Sequence, residues 1–75
     1  MMIKELDSVV LTVDLPEHGL RQGDVGTIVL MHGKKGFEVE FIALDGETLT
    51  VVSLTREQVR PIGRREIAHA RAVSA

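Results

Sequence analysis

The chain contains no cysteine, tryptophan or tyrosine, and these absences exclude several classes of protein. Without cysteine there is neither a disulfide framework nor a thiolate metal site, so one hydrophobic core must hold the 75 residues together. A chain of this length buries only about 60–65% of the surface that it exposes when unfolded, which makes its stability modest. Base-stacking platforms and polyproline-binding grooves need several aromatic rings, whereas Phe37 and Phe41 are the only two here.

Long apolar runs are absent as well. Lys4, Glu5 and Asp7 place charges near the start of the chain before any apolar stretch develops. We therefore expect neither a signal peptide nor a membrane span, and we predict a cytoplasmic location without membrane binding.

A basic face is missing too. Residues 1–63 carry six Lys or Arg against ten Asp or Glu, whereas residues 64–75 carry three arginines against one glutamate. A nucleic-acid binder neutralises phosphates with a clustered basic face, and an acidic body with a slightly basic tail lacks one. We therefore expect no nucleic-acid partner.

Runs rich in β-branched and aromatic residues, bounded by turn-forming residues, predict five strands. These runs are 9–13, 25–31, 37–43, 48–54 and 59–62. Asp45-Gly46 is typical of a two-residue type I′ hairpin turn. That turn places Phe37, Val39 and Phe41 on the core face of the third strand, and it pairs Ile42 with Leu49 on the other face. The alternative is a three-residue turn that includes Glu47, which would shift the register by one and change these facings on one strand.

Between the last two strands, Thr55 and Gln58 have the spacing of a capping box and predict one helical turn. Five strands with such a turn before the last one predict an all-β fold, a five-stranded SH3-like barrel over residues 1–63. Residues 64–75 form a C-terminal tail that is rich in alanine but short for an isolated helix. We expect this tail to be flexible or helical.

Three glycines lie in the segment HGLRQGDVGTIV, where they could cradle a phosphate or turn the chain. Phosphate-binding glycine loops lead into a helix, whereas a strand pattern follows Gly26. We predict that Gly23 occupies a positive-φ turn position and that Gly26 marks a bulge or a close backbone approach.

The order of PEHGL, GDVGT and LDGE motifs between Ile3 and Ile62 resembles a family of small bacterial proteins known only as a domain of unknown function. This resemblance implies an SH3-like barrel and assigns no activity.

A shorter stretch, QGDVGTIVLMHGKKGFEVEF, is similar to the KOW-type strand and loop of ribosomal and transcription-factor barrels. That resemblance implies RNA contacts through basic residues, for which Lys34 and Lys35 are the candidates. The same barrel type forms the C-terminal part of one nitrile hydratase subunit, so support of an enzyme's active site built elsewhere is a further alternative.

Chemistry-bearing clusters are sparse. His18 stands beside Glu17, with Asp14 and Asp24 nearby in sequence, but no second ligand cluster has the spacing of a metal or acid–base site. We expect a protein that is not an enzyme, with no catalytic residue, no cofactor, no metal and no small-molecule substrate.

The outer face of the third and fourth strands carries apolar residues, which makes it the candidate partner-binding surface. Its predicted contact residues are Ile42, Leu49 and Val51, helped by Leu20 and Arg21 of the long first loop. Such a cluster is typical of a contact with another protein chain or with a second copy of the same chain. The alternative is that the long loop folds over this face and buries it. The sequence thus favours a non-catalytic protein-interaction module.

Overall fold

The computed structural model describes residues 3–73, and nearly all of its regular structure is β-strand. The strands are β1 (Ser8–Leu11), β2 (Val25–Met31), β3 (Phe37–Ile42), β4 (Thr48–Leu54) and β5 (Val59–Pro61). Two short 3-10 turns, Pro16–His18 and Arg56–Gln58, interrupt the connections. The all-β prediction is confirmed, and every strand lies within two residues of its predicted ends.

The five strands form one antiparallel sheet in the order β4-β3-β2-β1-β5. Val59 of β5 and Val52 and Leu54 of β4 belong to the same hydrophobic cluster, although these strands lie at opposite ends of the sheet. The sheet therefore curves around its core. Over residues 3–73 no ladder joins β4 to β5, so the closed barrel expected from the sequence is not confirmed.

Alternation along β3 produces the core. Phe37 and Val39 are fully buried and Phe41 is 2% exposed, so the three side chains point inward as predicted. The core cluster consists of Ile3, Val9, Leu11, Leu15, Leu20, Ile28, Phe37, Val39, Phe41, Val52, Leu54 and Val59.

Gly26 lies where two strands approach the core closely. A Cβ atom built at this position would lie 2.6 Å from Val39 Cγ1 and 2.8 Å from Phe41 Cε1. The predicted close approach is therefore present, and the chain continues from Gly26 as β2 rather than as a helix. Gly23 has a φ of +95°, as its predicted turn position requires.

The β3–β4 hairpin differs from the predicted two-residue turn. A type I′ turn needs positive φ at both central residues, and Gly46 has a φ of +94° whereas Asp45 does not share this conformation. The loop instead spans residues 44–46. It is closed by the Ala43 amide, which donates to the Glu47 carbonyl at 2.8 Å, and by Asp45 Oδ1, which accepts from the Glu47 amide at 2.9 Å.

A bulge absorbs the extra loop residue. Pairing follows the predicted register from Phe37 to Phe41. Ile42 then lies opposite Thr48 instead of Leu49, because the register shifts between Phe41 and Ile42. The bulge preserves the predicted facing of the core residues although the turn itself was predicted wrongly.

The segment between β4 and β5 forms the predicted helical turn. Gln58 Oε1 accepts from the Thr55 amide at 2.8 Å, which is the reciprocal half of the capping box. Beyond β5, residues 64–73 contain no helix. The helical alternative for the tail is therefore wrong over this range.

Candidate interaction surface

The outer face of the sheet carries an apolar patch. Because Thr27 lies opposite Glu40, the β2–β3 register brings Val25 beside Ile42. We define the outer-face patch as the following four residues, with their exposed fractions: Val25 (45%), Ile42 (45%), Leu49 (37%) and Val51 (49%).

The long loop between β1 and β2 does not bury this patch. Leu15 and Leu20 pair in an isolated bridge, and both belong to the core. Leu20 is only 3% exposed, so in this structure it is a core residue and not part of an exposed contact surface, contrary to its predicted role. Arg21 is exposed, and its amide donates to Asp24 Oδ2 at 2.8 Å.

The tail lies beside the outer face. Val10 is 7% exposed although it does not belong to the core cluster, and it lines the same groove as the tail residues Ile67 and Val73. A groove of about 780 Å³ runs between the tail and the sheet. Its apolar lining includes Val10, Val25, Ile42, Ile62, Ile67 and Val73.

Arg71 anchors the far end of the tail. Its guanidinium donates to both carboxylate oxygens of Asp24, at 2.8 Å and 2.6 Å, and to the Gly19 carbonyl at 2.9 Å. Both side chains are largely buried, 22% exposed for Arg71 and 17% for Asp24. The hydrogen bond from Arg71 is the main cause that lowers the pKa of the Asp24 carboxyl below its usual value.

Glu66 fixes the near end of the tail. Its two carboxylate oxygens accept from the Arg60 guanidinium at 2.7 Å and 2.8 Å, and Oε2 also accepts from the Gly63 amide. These hydrogen bonds, that of Arg60 first, lower the pKa of Glu66 from 4.5 to about 2. We call the pairs Arg60–Glu66 and Arg71–Asp24 the near clasp and the far clasp.

The clasps contain two of the five arginines that the sequence concentrates between positions 56 and 71, namely Arg60 and Arg71. Arg56 lies with its guanidinium 5.2 Å from the centroid of the Phe37 ring, in a cation–π contact. Arg64 and Arg65 are exposed. The far clasp could not be predicted from the sequence, because its two residues are 47 positions apart and no local pattern indicates such a pair.

The candidate catalytic and basic positions lie elsewhere. His18 is exposed in the first 3-10 turn, and no group of three or more metal-binding side chains converges within residues 3–73. His32 Nε2 lies 2.7 Å from Glu38 Oε2. The hydrogen bond from the Ser53 hydroxyl, followed by this His32 contact, lowers the pKa of Glu38 below its usual value. Lys34 and Lys35 are exposed at the tip of the β2–β3 hairpin.

The geometry defines a small all-β domain with one curved sheet, an exposed apolar patch and a strapped tail. The model of a domain of unknown function, DUF4926, matches residues 5–61, so the chain belongs to that family. This match confirms the resemblance seen in the sequence motifs. It ends before the tail, so Asp24 lies inside the matched range and Arg71 outside it.

No curated protein and no solved structure gave a significant match to the chain. Over residues 3–73, no helix has the length and apolarity that a membrane span requires.

Proposed function

We propose that the protein is a non-catalytic interaction module that binds another protein chain through the outer-face patch. One observation carries this proposal: Val25, Ile42, Leu49 and Val51 form a group on one side of the sheet, and each is more than a third exposed. Single exposed apolar residues are ordinary, whereas a contiguous group surrounded by polar residues is typical of a contact with another chain.

The surroundings of the patch indicate the chemistry of the partner. Glu38 and Glu40 on β3 and Glu47 beside the β3–β4 loop are partly or fully exposed next to the apolar residues. Interfaces combine an apolar centre with a polar rim, and opposite charges across the rim steer the encounter. The partner we expect therefore presents apolar side chains flanked by lysine or arginine.

The proposal includes an SH3-like curvature of the sheet. Its support is the strand order, the 3-10 turn between β4 and β5, and the core shared by both ends of the sheet. Curvature of this kind gives the sheet a convex outer face, on which the patch is accessible to a partner.

Two charge-introducing variants test the surface. Leu49→Lys and Val51→Lys each place an ammonium group in the patch, and Leu6→Lys makes the same chemical change at a residue that is 77% exposed outside it. Immobilised protein is exposed to extract of its native cell, and captured chains are identified by mass spectrometry. We expect the patch variants to lose a partner that the Leu6 variant retains, while all three melt cooperatively.

A partner that survives both patch substitutions would show that the surface lies elsewhere. Captured RNA whose binding falls steeply with salt and depends on Lys34 and Lys35 would instead favour the KOW-like alternative.

A further inference from the structure

We propose that the free edge of β4 pairs with β4 of a second copy of this chain, in antiparallel orientation. The proposal goes beyond the docking of a partner on the outer-face patch, because it concerns the backbone at the edge of the sheet. It starts from the difference between the two edge strands. β5 has three residues and contains Arg60 and Pro61, both typical of a protected edge.

β4 lacks these protections. Its seven residues, TLTVVSL, include no charge and no proline, and four of them are β-branched. An edge strand of this composition presents unpaired backbone groups to any strand that can approach it.

The hydrogen bonds of the neighbouring strands show which backbone groups of β4 are free. The Ile28 amide donates to the Asp7 carbonyl at 2.9 Å, and the Ile28 carbonyl accepts from the Leu6 amide at 2.7 Å. The backbone groups of Ile28 therefore point away from β3. In an antiparallel pair, the two residues opposite each other either both face one another or both face away. Val39, opposite Ile28, thus faces β4.

The alternation continues into β4. Val52 lies opposite Val39 and therefore bonds to β3. Val51 and Ser53, its two neighbours, then point their amide and carbonyl groups outward. Within residues 3–73 no loop or tail residue forms a hydrogen bond to these groups.

The absence of charge selects a second copy as the occupant. A two-fold interface brings each residue close to its own copy, so any charged residue near the axis would meet a like charge. With the axis at Val51, that side chain lies beside Val51 of the second copy and continues the apolar strip of the outer face. The nearest carboxylates, Glu38 and Glu40, lie one strand away and accept hydrogen bonds from Ser53 and Thr48.

Edge pairing alone buries little surface, so the dimer is weak, with a Kd on the order of 100 µM. Sedimentation equilibrium of the full chain up to millimolar concentration measures it. Val51→Pro removes the outward amide without breaking a bond to β3, and Val51→Thr keeps both the amide and the β-branched shape. We expect at least about tenfold weaker dimerisation for the proline variant and nearly unchanged dimerisation for the threonine variant.

Two further variants keep the test decisive. If Val51→Pro does not fold, Val51→Lys replaces it, because its exposed side chain puts two like charges at the axis and should also yield a monomer. Ile42→Lys alters the outer-face patch without touching the edge, so it should dimerise normally even if it loses a protein partner. A parent chain that stays monomeric at millimolar concentration, or a folded Val51→Pro that dimerises like the parent, overturns the proposal.

Discussion

The inner and outer faces of the sheet differ in the polarity and the exposure of their side chains. On β3, Phe37, Val39 and Phe41 are at most 2% exposed, while Glu38 and Glu40 alternate with them on the outer side. Ile42 breaks this alternation, since it is apolar and 45% exposed. Apolar residues on the inner face are expected because they form the core, whereas an exposed apolar residue on the outer face requires a different explanation. That exception is what directs attention to the outer-face patch.

The faces also differ in how they are covered. Curvature of the sheet and the long loop, through Leu15 and Leu20, enclose the inner face. Among residues 3–73, the tail is the segment that lies along the outer face, and the clasps that hold it are polar. The inner cover is therefore part of the fold, whereas the outer cover depends on two pairs of charged residues.

The largest expected effect comes from truncating the inner face. Phe37→Ala should lower the free energy of unfolding by about 3–5 kcal/mol, because the ring is fully buried. A chain of this length has a total stability of roughly 4–11 kcal/mol, so the variant should be largely or partly unfolded. Urea denaturation measures the loss. The matched outer-face variant, Ile42→Ala, should lower the free energy of unfolding by no more than about 1 kcal/mol. An equal decrease for both variants would show that the two faces do not differ in their contribution to stability.

Overpacking the inner face should have a smaller effect. Gly26→Ala forces a methyl group against Val39 and Phe41, both of which are held by the core, and should cost about 1–3 kcal/mol. Thr27→Ala, one residue along β2 and half-buried, is the control and should change stability by less than the Gly26 variant. Thermal or urea unfolding compares the two. If Gly26→Ala leaves the free energy of unfolding unchanged, β3 must be able to shift and accommodate the added methyl group.

Opening the far clasp should alter the outer face without unfolding the sheet. Arg71→Gln removes the ion pair with Asp24, so the tail should detach from the outer face near Val10 and Val25. Backbone amide NMR is expected to show shift changes at these residues and lower order parameters after residue 66, with the inner face unchanged. Order parameters in the parent chain also test the prediction from the sequence that the tail, residues 64–75, is mobile in the free protein.

Acid should release the near clasp with the smallest effect on the fold. Because Arg60 lowers the pKa of Glu66 from 4.5 to about 2, the pair stabilises the folded state above pH 4.5 and is lost as the pH falls toward about 2. An NMR titration of the Glu66 carboxyl should give this low value. In Arg60→Gln the pKa should move back toward 4.5, and an unchanged pKa would show that Arg60 is not its cause.

Much of the sheet was predictable because its signals are local. Alternation and β-branched composition located all five strands, and Thr55 and Gln58 located the second 3-10 turn. The hairpin turn was not predicted correctly, because Asp45-Gly46 is compatible with both two- and three-residue loops and the bulge near Leu49 compensates for the difference. For the candidate surface, strand alternation correctly placed Ile42, Leu49 and Val51 on the exposed side of the sheet, whereas the burial of Leu20 was not predicted because loop residues have no period that indicates burial.

The amino-acid sequence by itself determined where the strands lie, which side of β3 is the core and where glycine is needed, since each depends on neighbours along the chain or on one hairpin. Only the tertiary structure decided that the first loop enters the core, that the tail lies along the outer face and that Arg71 meets Asp24. These contacts join residues far apart in sequence, and their free energy exists only after the sheet has brought the partners together.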